Sequence, residues 1–413
     1  MMVHQPYDTH MPDPPLMHPI RVTRSVRPPD LVRLSRYQKS PKLGPRVLFF
    51  SGGSALNAVS RVLKNYTHNS LHMVTPFDSG GSSAKLRQAF AMPSIGDLRS
   101  RLMALADENI TGHPEVYELF TYRFAQDRPN SDLRSQLESM IRGTDPLVAA
   151  ISNPMRQLIR NQLGYLLEAM PEGFDLRGAS TGNLILAGGY LNNHQQLDPI
   201  IFLFSKLVNV LGTVRTIVND NLHLGAKLED GSCVIGQHRL TGKEVAPLSL
   251  PVRELFLSGH PETCVRARSE IREKNRELIE QAELICYPPG SFYTSLVANL
   301  LPKGVGSAIA TSDCPKVYCP NLGPDPEQIG MTLDSSVVTL LEYLRSDVAA
   351  GTDNQRLLNF VLIDSQHGYY PSALSSGLMQ ELGIEIIDTR LVSTKSAPRY
   401  DALLLVSTLL SLT

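Results

Sequence analysis

The sequence predicts an α/β fold built on a doubly wound parallel sheet, and three stretches of the chain support this prediction. The stretch from Arg46 to Arg87 reads as strand, glycine turn, helix, strand and second glycine turn. Residues 284–300 repeat the order of strand, glycine turn and helix, and residues 360–412 alternate two apolar runs with two helical patterns. Strands that alternate with helices in this way form parallel sheets with helices on both faces.

The composition is that of a globular protein with a sizeable core, because 42% of the 413 residues are hydrophobic and 19% are charged. We expect neither nucleic acid nor a membrane as a partner, since the net charge is −1 and no apolar run reaches the ~18 residues of a membrane span. The N-terminus has no apolar signal core, so we expect a cytoplasmic protein. Scattered cysteines without a CxxC pair favour reduced thiols over disulfides or a zinc site: Cys233, Cys264, Cys286, Cys314 and Cys319.

The chain divides into an N-terminal arm and one large domain. Residues 1–45 are rich in proline, histidine and arginine, which predicts an extended arm lying over the domain or a partner. Residues 46–413 form the predicted α/β domain, with a helical insert at about 113–175 and C-terminal βα units at about 355–413. Alternating segments broken by Asn-Asp and Asp-Gly predict a small antiparallel hairpin region within 213–237.

The first candidate binding residues follow the predicted strand from Val47 to Phe50. A turn of Gly52, Gly53 and Ser54 separates this strand from a helix. Backbone N–H groups at such a turn can approach a phosphate, and the positive end of the helix adds to the attraction. The alternative is a tight strand-to-helix turn that binds nothing. This alternative stays open because GGSALNAV does not match the dinucleotide-binding pattern GxGxxG cleanly.

A second glycine turn contains a carboxylate. Asp78 precedes Gly80, Gly81 and Ser82 just after the predicted strand 71–75. A carboxylate beside hydroxyls and open backbone suits a magnesium ion, whereas the alternative is that Asp78 only caps its own turn.

Two charged residues lie further along the same stretch. Arg87 is either a phosphate ligand or a member of a surface ion pair, and Asp97 is either a metal ligand or a helix N-cap.

A third turn, PPGSFYTS, repeats the pattern of the first. It follows the strand 284–287 and contributes the candidate phosphate ligands Gly290, Ser291, Thr294 and Ser295. Two such turns at one sheet edge could hold both phosphates of a diphosphate.

Two asparagines complete the set of candidate residues. Asn183, in the segment STGN, is a sugar or phosphate donor or else a helix cap, and Asn321 follows the strand 316–319. We count both among the candidate nucleotide-binding residues. The sequence has no GxSxG or Walker A motif, which disfavours a serine hydrolase and a P-loop ATPase, and its histidines show no HExxH pattern.

The chain resembles the 2-phospho-L-lactate transferase (CofD-like) family over roughly residues 46–345, in eight segments that keep one order: GGSALNAVSRVLK, VTPFDSGGSSAKLRQ, GDLRSRLMALAD, LFTYRF, STGNLILAGGYL, LEDGS, AELICYPPGSFYTSLVANLL and KVYCPNL. The resemblance implies a Rossmann-like core. It also implies either transfer of a phosphorylated three-carbon acid from a guanosine-diphosphate-linked donor, with magnesium, or the nucleotide-sugar binding of bacterial gluconeogenesis factors. The layout resembles the gluconeogenesis-factor branch more closely, which disfavours a deazaflavin acceptor.

The resemblance also assigns roles to residues. The family's strand-end aspartate falls on Asp78 and its GDIRN aspartate on Asp97, which implies that both are catalytic and bind Mg²⁺. The chain departs from the family at Ser79, where a second aspartate is usual, and also at Ser100 and Pro288.

The predicted function is therefore transfer of a phospho-acyl or phosphoryl group from a nucleotide-diphosphate-linked donor to an acceptor. The alternative is a non-catalytic, nucleotide-sugar-binding regulator of the gluconeogenesis-factor type. In either case we expect a homodimer.

Overall fold

A seven-stranded, wholly parallel sheet forms the centre of the computed structural model, which describes residues 24–108, 113–242 and 245–413. The strands of the model are β1 (Val47–Ser51), β2 (Leu71–Val74), β3 (Thr213–Thr216), β4 (His223–Leu228), β5 (Cys233–Ile235), β6 (Val252–Ser258), β7 (Leu284–Tyr287), β8 (Lys316–Tyr318), β9 (Phe360–Ile363) and β10 (Glu385–Asp388). The order across the large sheet is β10-β9-β8-β7-β1-β2-β3. The predicted fold class is confirmed.

Helices cover both faces of this sheet. Their bounds are α1 (Leu31–Lys39), α2 (Asn57–Leu63), α3 (Gly81–Phe90), α4 (Gly96–Leu105), α5 (Pro114–Thr121), α6 (Asn130–Arg142), α7 (Pro146–Ala149), α8 (Met155–Ala169), α9 (Thr181–Asn192), α10 (Leu197–Leu207), α11 (Gln237–Thr241), α12 (Glu273–Glu280), α13 (Val305–Thr311), α14 (Leu333–Leu344), α15 (Ser376–Glu381) and α16 (Ala402–Ser411). None of these helices is long and apolar enough to cross a membrane.

The strand order fixes where a ligand can bind. The first strand, β1, lies in the middle of the sheet, and the chain continues outward on one side through β2 and β3. It later returns to the other side of β1 with β7. The connections on either side of this point run in opposite directions, which leaves a crevice outside the carboxyl ends of β1 and β7. All residues of β1 and β7 are buried, as expected for parallel strands covered on both faces.

The helical insert predicted at 113–175 is present as α5 to α8, and it packs with α9 and α10 into a core of its own. Small residues make this packing close. A Cβ added to Gly188 in α9 would overlap the backbone carbonyl of Gln162 in α8. The helical region borders the sheet through Val74 and Val214 and so forms one wall of the crevice.

The antiparallel region differs from the prediction. Residues 213–216 are not part of a hairpin but form the edge strand β3, with Leu71 in register with Thr213 of the parallel sheet. The small sheet has the order β5-β4-β6, and its third strand, at 252–258, was not predicted from the sequence. Residues 213–216 alternate between buried and partly exposed positions, as does any strand with one face against the core. Such a pattern does not show which sheet the strand joins.

The cysteine prediction is wrong for one pair. Cys233 in β5 and Cys264, in the loop after β6, form a disulfide, with their Cα atoms 6.7 Å apart. Cys286, Cys314 and Cys319 are free thiols, as predicted. Residues 31 positions apart come together only because β4 brings β5 and β6 into one sheet, and a sequence without a CxxC pair gives no sign of that.

The prediction of an extended N-terminal arm is wrong for residues 31–39, which form α1. Asp30 caps this helix by accepting a hydrogen bond from the backbone N–H of Arg33 at 3.0 Å. Leu34 is buried in the same cluster as Leu409 of α16, which ties the segment to the end of the domain. Residues 1–23 of the predicted arm lie outside the described residues.

Candidate functional site

A cleft of about 340 Å³ lies at the carboxyl ends of β1 and β7. Most of the residues predicted from the sequence line it: Gly52, Gly53, Ser54, Asp78, Gly80, Gly81, Ser82, Asp97, Asn183, Gly290, Ser291 and Ser295. Arg87, Thr294 and Asn321 do not. The fold therefore brings three separate turns and one helix start together at the point where the strand order reverses.

A buried arginine that the sequence did not single out holds the first glycine turn. The guanidinium of Arg101, in α4, donates to the carbonyl oxygens of Gly52 (3.1 Å) and Gly53 (2.9 Å) and to Ser60 Oγ (2.6 Å). Arg101 has no exposed surface, and burial lowers its pKa to about 10. The turn is closely surrounded, since a Cβ at Gly53 would overlap the carboxylate of Asp97 unless that side chain moved.

The two predicted carboxylates lie in the cleft but on different segments. Asp78 Oδ1 accepts a hydrogen bond from the N–H of Gly80 at 3.0 Å, so the side chain does cap its own turn, as the alternative prediction had it. Asp97 is in the first turn of α4. Both residues also line the cleft, so the structural role does not remove them from the site.

This pair fits a magnesium ion only if a ligand completes the coordination. Among the described residues no group of three or more His, Cys, Asp or Glu side chains could hold a metal ion. Mg²⁺ is commonly bound through one or two carboxylates, with phosphate oxygens and waters supplying the remaining ligands. The donor set of Asp78 and Asp97 has that chemistry.

Two arginines, Arg99 and Arg123, bring positive charge to one wall of the cleft. Arg99, in α4, donates from Nε to Asn183 Oδ1 at 2.9 Å, and Asn183 donates to Ser82 Oγ at 3.0 Å. Burial, followed by the charge of Arg123, lowers the pKa of Arg99 to about 10. Neither Arg99 nor Arg123 is in an ion pair within the part of the chain that is described. An anionic ligand would relieve the repulsion between the two guanidiniums.

The PPGSFYTS turn is occupied by the protein's own carboxylates. The N–H of Phe292 donates to Asp325 (2.9 Å), and Glu327 accepts from the N–H groups of Tyr293 (2.9 Å) and Thr294 (2.8 Å). The Thr294 hydroxyl also donates to Glu327, at 2.5 Å. These donors are therefore not available to a phosphate, and the prediction that Thr294 binds one is not supported by its position.

Asn321 and Arg87 brace the walls of the cleft. Asn321 Oδ1 accepts from the N–H of Gly290 at 2.7 Å and so holds the same turn from behind. Arg87 is 6% exposed and donates to the carbonyl oxygens of Asp78 (3.0 Å) and Leu222 (2.6 Å). Its guanidinium joins the Asp78 turn to the start of β4, and Arg87 neither lines the cleft nor forms an ion pair within the described residues.

A family model described as 2-phospho-L-lactate transferase CofD matches residues 47–395. This chain belongs to the CofD family. The match includes every cleft residue, so the resemblance read from eight short segments is confirmed over most of the chain.

Curated relatives of similar identity bear the name gluconeogenesis factor. The gluconeogenesis factor of Bacillus subtilis is 27% identical over 359 residues, which is 85% of this chain and 92% of that protein. The gluconeogenesis factor of Listeria monocytogenes is 27% identical over 358 residues, 85% of this chain and 90% of that protein. A longer relative from Nostoc sp. is 28% identical over 335 residues, and the match spans only 57% of its length.

Solved structures agree with the CofD-family fold. Two crystal structures of a Bacillus halodurans protein, one of them described as a member of the UPF0052 family, match with TM-scores of 0.65 and 0.64. Each is 23% identical and covers 89% of this chain and 99% of its own. At this level of identity the likeness shows the fold.

Sequence reasoning missed three residues that line this CofD-family cleft, Arg99, Arg123 and His238, and also Arg101, which holds one of its turns. A signal for Arg101 was present, because it lies three residues after Leu98 and four before Leu105, on the apolar face of α4. An arginine at a position that the pattern assigns to the core needs buried acceptors. Arg99, Arg123 and His238 carried no such signal.

The carboxylate behind the PPGSFYTS turn makes the stability of this CofD-family chain depend on pH. Burial and the charge of Asp325 raise the pKa of Glu327 to about 7, from an ordinary 4.5. Because the folded state holds the proton of Glu327 more tightly than the unfolded state does, protonation stabilises the fold. This contribution to the free energy of unfolding is complete below pH 4.5 and is lost as the pH rises through about 7. Glutamine has no proton to lose in this range, so the free energy of unfolding of Glu327→Gln should not show this loss. Between pH 5 and pH 8 we expect the wild type to lose on the order of 2 kcal/mol relative to Glu327→Gln.

Urea denaturation at pH 5 and pH 8 measures this effect. Glu381→Gln, at an exposed position in α15, is the control and should follow the wild type at both pH values. A pH dependence of unfolding that is the same in the wild type and Glu327→Gln would contradict the prediction.

Proposed function

We propose that this CofD-family protein binds a nucleotide-diphosphate-linked donor in the cleft and transfers a phosphorus-bearing group from it to a hydroxyl acceptor. The observation that carries the proposal is the pair Arg99 and Arg123, two cationic side chains that line the cleft without a carboxylate partner among the described residues. Burial of the Arg99 guanidinium and its repulsion by Arg123 both cost free energy, and a bound anion would offset that cost. A diphosphate would supply negative charge to both guanidiniums.

The residues of the cleft can divide the work of binding between them. Arg99 binds a phosphate or acidic oxygen, and Asn183 keeps its guanidinium aimed into the cleft. Arg101 fixes the Gly52-Gly53 turn by holding its carbonyl oxygens, which leaves a rigid wall beside the ligand. Phosphoryl transfer depends mainly on such positioning and on charge stabilisation. A magnesium ion bound by Asp78 and Asp97 would neutralise charge on the phosphate oxygens.

Calorimetric titration with GDP and with UDP, each with and without magnesium chloride, tests the proposal. We expect binding of at least one nucleotide and a 10- to 150-fold weaker affinity for Arg99→Gln, since a hydrogen bond to a charged group contributes about 1.5–3 kcal/mol. Arg128→Gln is the matched control, because this arginine is 49% exposed and lies 3.9 Å from Asp132 on the helical insert.

The magnesium dependence of binding also distinguishes the proposal from its alternative. A non-catalytic regulator would bind a nucleotide sugar without magnesium and release no product, and two of the relatives bear the name gluconeogenesis factor. Failure of both nucleotides to bind, or equal affinity of Arg99→Gln and the wild type, would contradict the proposal.

A further inference from the structure

A serine and a histidine from distant parts of the chain meet at the edge of the cleft. Ser79 Oγ lies 2.8 Å from Nδ1 of His238 and accepts a hydrogen bond from the backbone N–H of the same histidine at 3.2 Å. His238 is the second residue of α11 and lines the cleft together with Asp78. Gly236 allows this approach, because its φ is +107° and a Cβ there would be 2.8 Å from Cε1 of His238.

The contact orients the imidazole and leaves one nitrogen available. The hydroxyl oxygen of Ser79 has two lone pairs, so it can accept from the backbone N–H and from Nδ1–H of His238 at the same time. In that tautomer Nε2 carries no proton. Within the described residues no hydrogen bond to Nε2 is formed. A histidine held through Nδ1 with a bare Nε2 has the arrangement of a general base.

We infer that His238 is an acid–base catalytic residue of the cleft and that Ser79 is the residue that positions it. The inference rests on the proposed transfer reaction and adds to it the group that receives the proton. It concerns Ser79, one of the positions at which the chain departs from the family that its sequence resembles. The serine is then not a lost metal ligand but the partner of an imidazole.

The transfer step balances with His238 as the proton acceptor. The acceptor hydroxyl oxygen forms a bond to the phosphorus of the transferred group. The bond between that phosphorus and the bridging oxygen breaks, and its electron pair leaves with the nucleoside monophosphate. The hydroxyl proton moves to Nε2 of His238, while Nδ1–H remains bonded to Ser79. The imidazolium formed in this way later returns the proton to solvent.

Charged and titratable groups surround the imidazole from several elements. Asp78, Asp97, Arg99 and Arg123 line the same cleft. The elements that pack against α11 are β4, β5 and the single helical turn at 292–296, and they bring the following groups: His223, Lys227, Cys233 in its disulfide and Tyr293. A bound diphosphate would add negative charge beside Nε2 and favour the protonated product state.

The test measures GDP affinity and turnover in the same preparations of the full chain. The donors are GDP-mannose, UDP-glucose and the lactate ester of GDP, the acceptor is glycerol, and the signal is release of nucleoside monophosphate. We expect His238→Gln to keep its GDP affinity within about threefold and to lose 10²- to 10⁴-fold in kcat, the typical size of a general acid–base effect. Arg239→Gln, an exposed change on the same helix, is the control and should match the wild type.

The Ser79 variants separate positioning from a merely structural role. Ser79→Ala should lower kcat by about 10- to 100-fold without changing KM, and Ser79→Thr, which keeps the hydroxyl, should restore most of the rate. Ser79→Asp should move the acid limb of the pH–rate profile to higher pH, because a carboxylate beside Nδ1 favours the protonated ring. A structural contact alone would not shift that limb.

Each other outcome has a definite meaning. Turnover that is unchanged in His238→Gln overturns the inference and leaves the proposed transfer reaction standing. If the wild type binds GDP but releases nucleoside monophosphate from none of the three donors, the acid–base role is overturned and a regulator is favoured. Absence of nucleotide binding overturns both the inference and the proposed function.

Discussion

Replacement of Asp78 by asparagine should lower magnesium-dependent release of nucleoside monophosphate by about 10²- to 10³-fold, the loss typical of removing one electrostatic stabiliser from a transition state. The change keeps the size of the side chain and the oxygen that accepts from the N–H of Gly80 at 3.0 Å. It removes one negative charge from the cleft. Turnover is measured as initial rates over a range of magnesium concentrations, and circular dichroism confirms that the variant is folded.

Comparison with two other variants shows whether the effect belongs to the cleft. Asp97→Asn should behave like Asp78→Asn, because both carboxylates line the cleft. Asp132→Asn, with a side chain that is 50% exposed on α6, should behave like the wild type. If Asp78→Asn turns over donor at the wild-type rate, Asp78 has no part in catalysis and the proposed mechanism is wrong.

Replacement of Arg101 by methionine should lower the free energy of unfolding by about 2–5 kcal/mol and abolish nucleotide binding. Methionine fills similar space but leaves the buried carbonyl oxygens of Gly52 and Gly53 without their donor. Each buried polar group that loses its partner costs about 1–3 kcal/mol. Urea denaturation followed by circular dichroism gives the stability, and calorimetric titration with GDP gives the affinity.

Arg61→Met is the matched control for this prediction. Arg61, in α2, is 49% exposed and lies 3.6 Å from Glu108, a surface pair that contributes little. Arg101→Lys should fall between the wild type and Arg101→Met, because a single ammonium cannot reproduce the fork that holds both carbonyl oxygens and Ser60. Equal stability of Arg101→Met and the wild type would show that the turn does not need this arginine.

The parallel sheet could be predicted because its determinants are local. Strands such as 47–51 and 284–287 are continuous apolar runs that end in glycine turns, and helices follow them directly. The strand β6 and the membership of β3 could not be predicted in the same way. Pairing of 252–258 with β4 is decided by contacts between distant segments, which a single sequence does not display.

The cleft was predicted as a set of turns but not as a network. Glycine and serine turns are visible in the sequence because their backbone requirements limit the residue types. The partners of those turns are not visible. Glu327 lies 33 residues after Thr294, and His238 lies 159 residues after Ser79. The sequence therefore predicted most of the residues that line the cleft. It did not show that Thr294, Asn321 and Arg87 lie outside this lining, where they form hydrogen bonds with other parts of the protein.

The pairing of β1 with β7 has a consequence for how the chain is synthesised. Val47 is in register with Leu284, so the central strand receives this neighbour only after more than two hundred further residues have left the ribosome. Until then one edge of β1 exposes unpaired N–H and C=O groups and a fully apolar strand, which is the kind of surface that aggregates. The two halves of the cleft, 52–54 and 288–291, are likewise separated. A fragment that stops before β7 lacks one side of the cleft and carries an open strand edge, so the cleft is complete only when the second half of the sheet has folded onto the first.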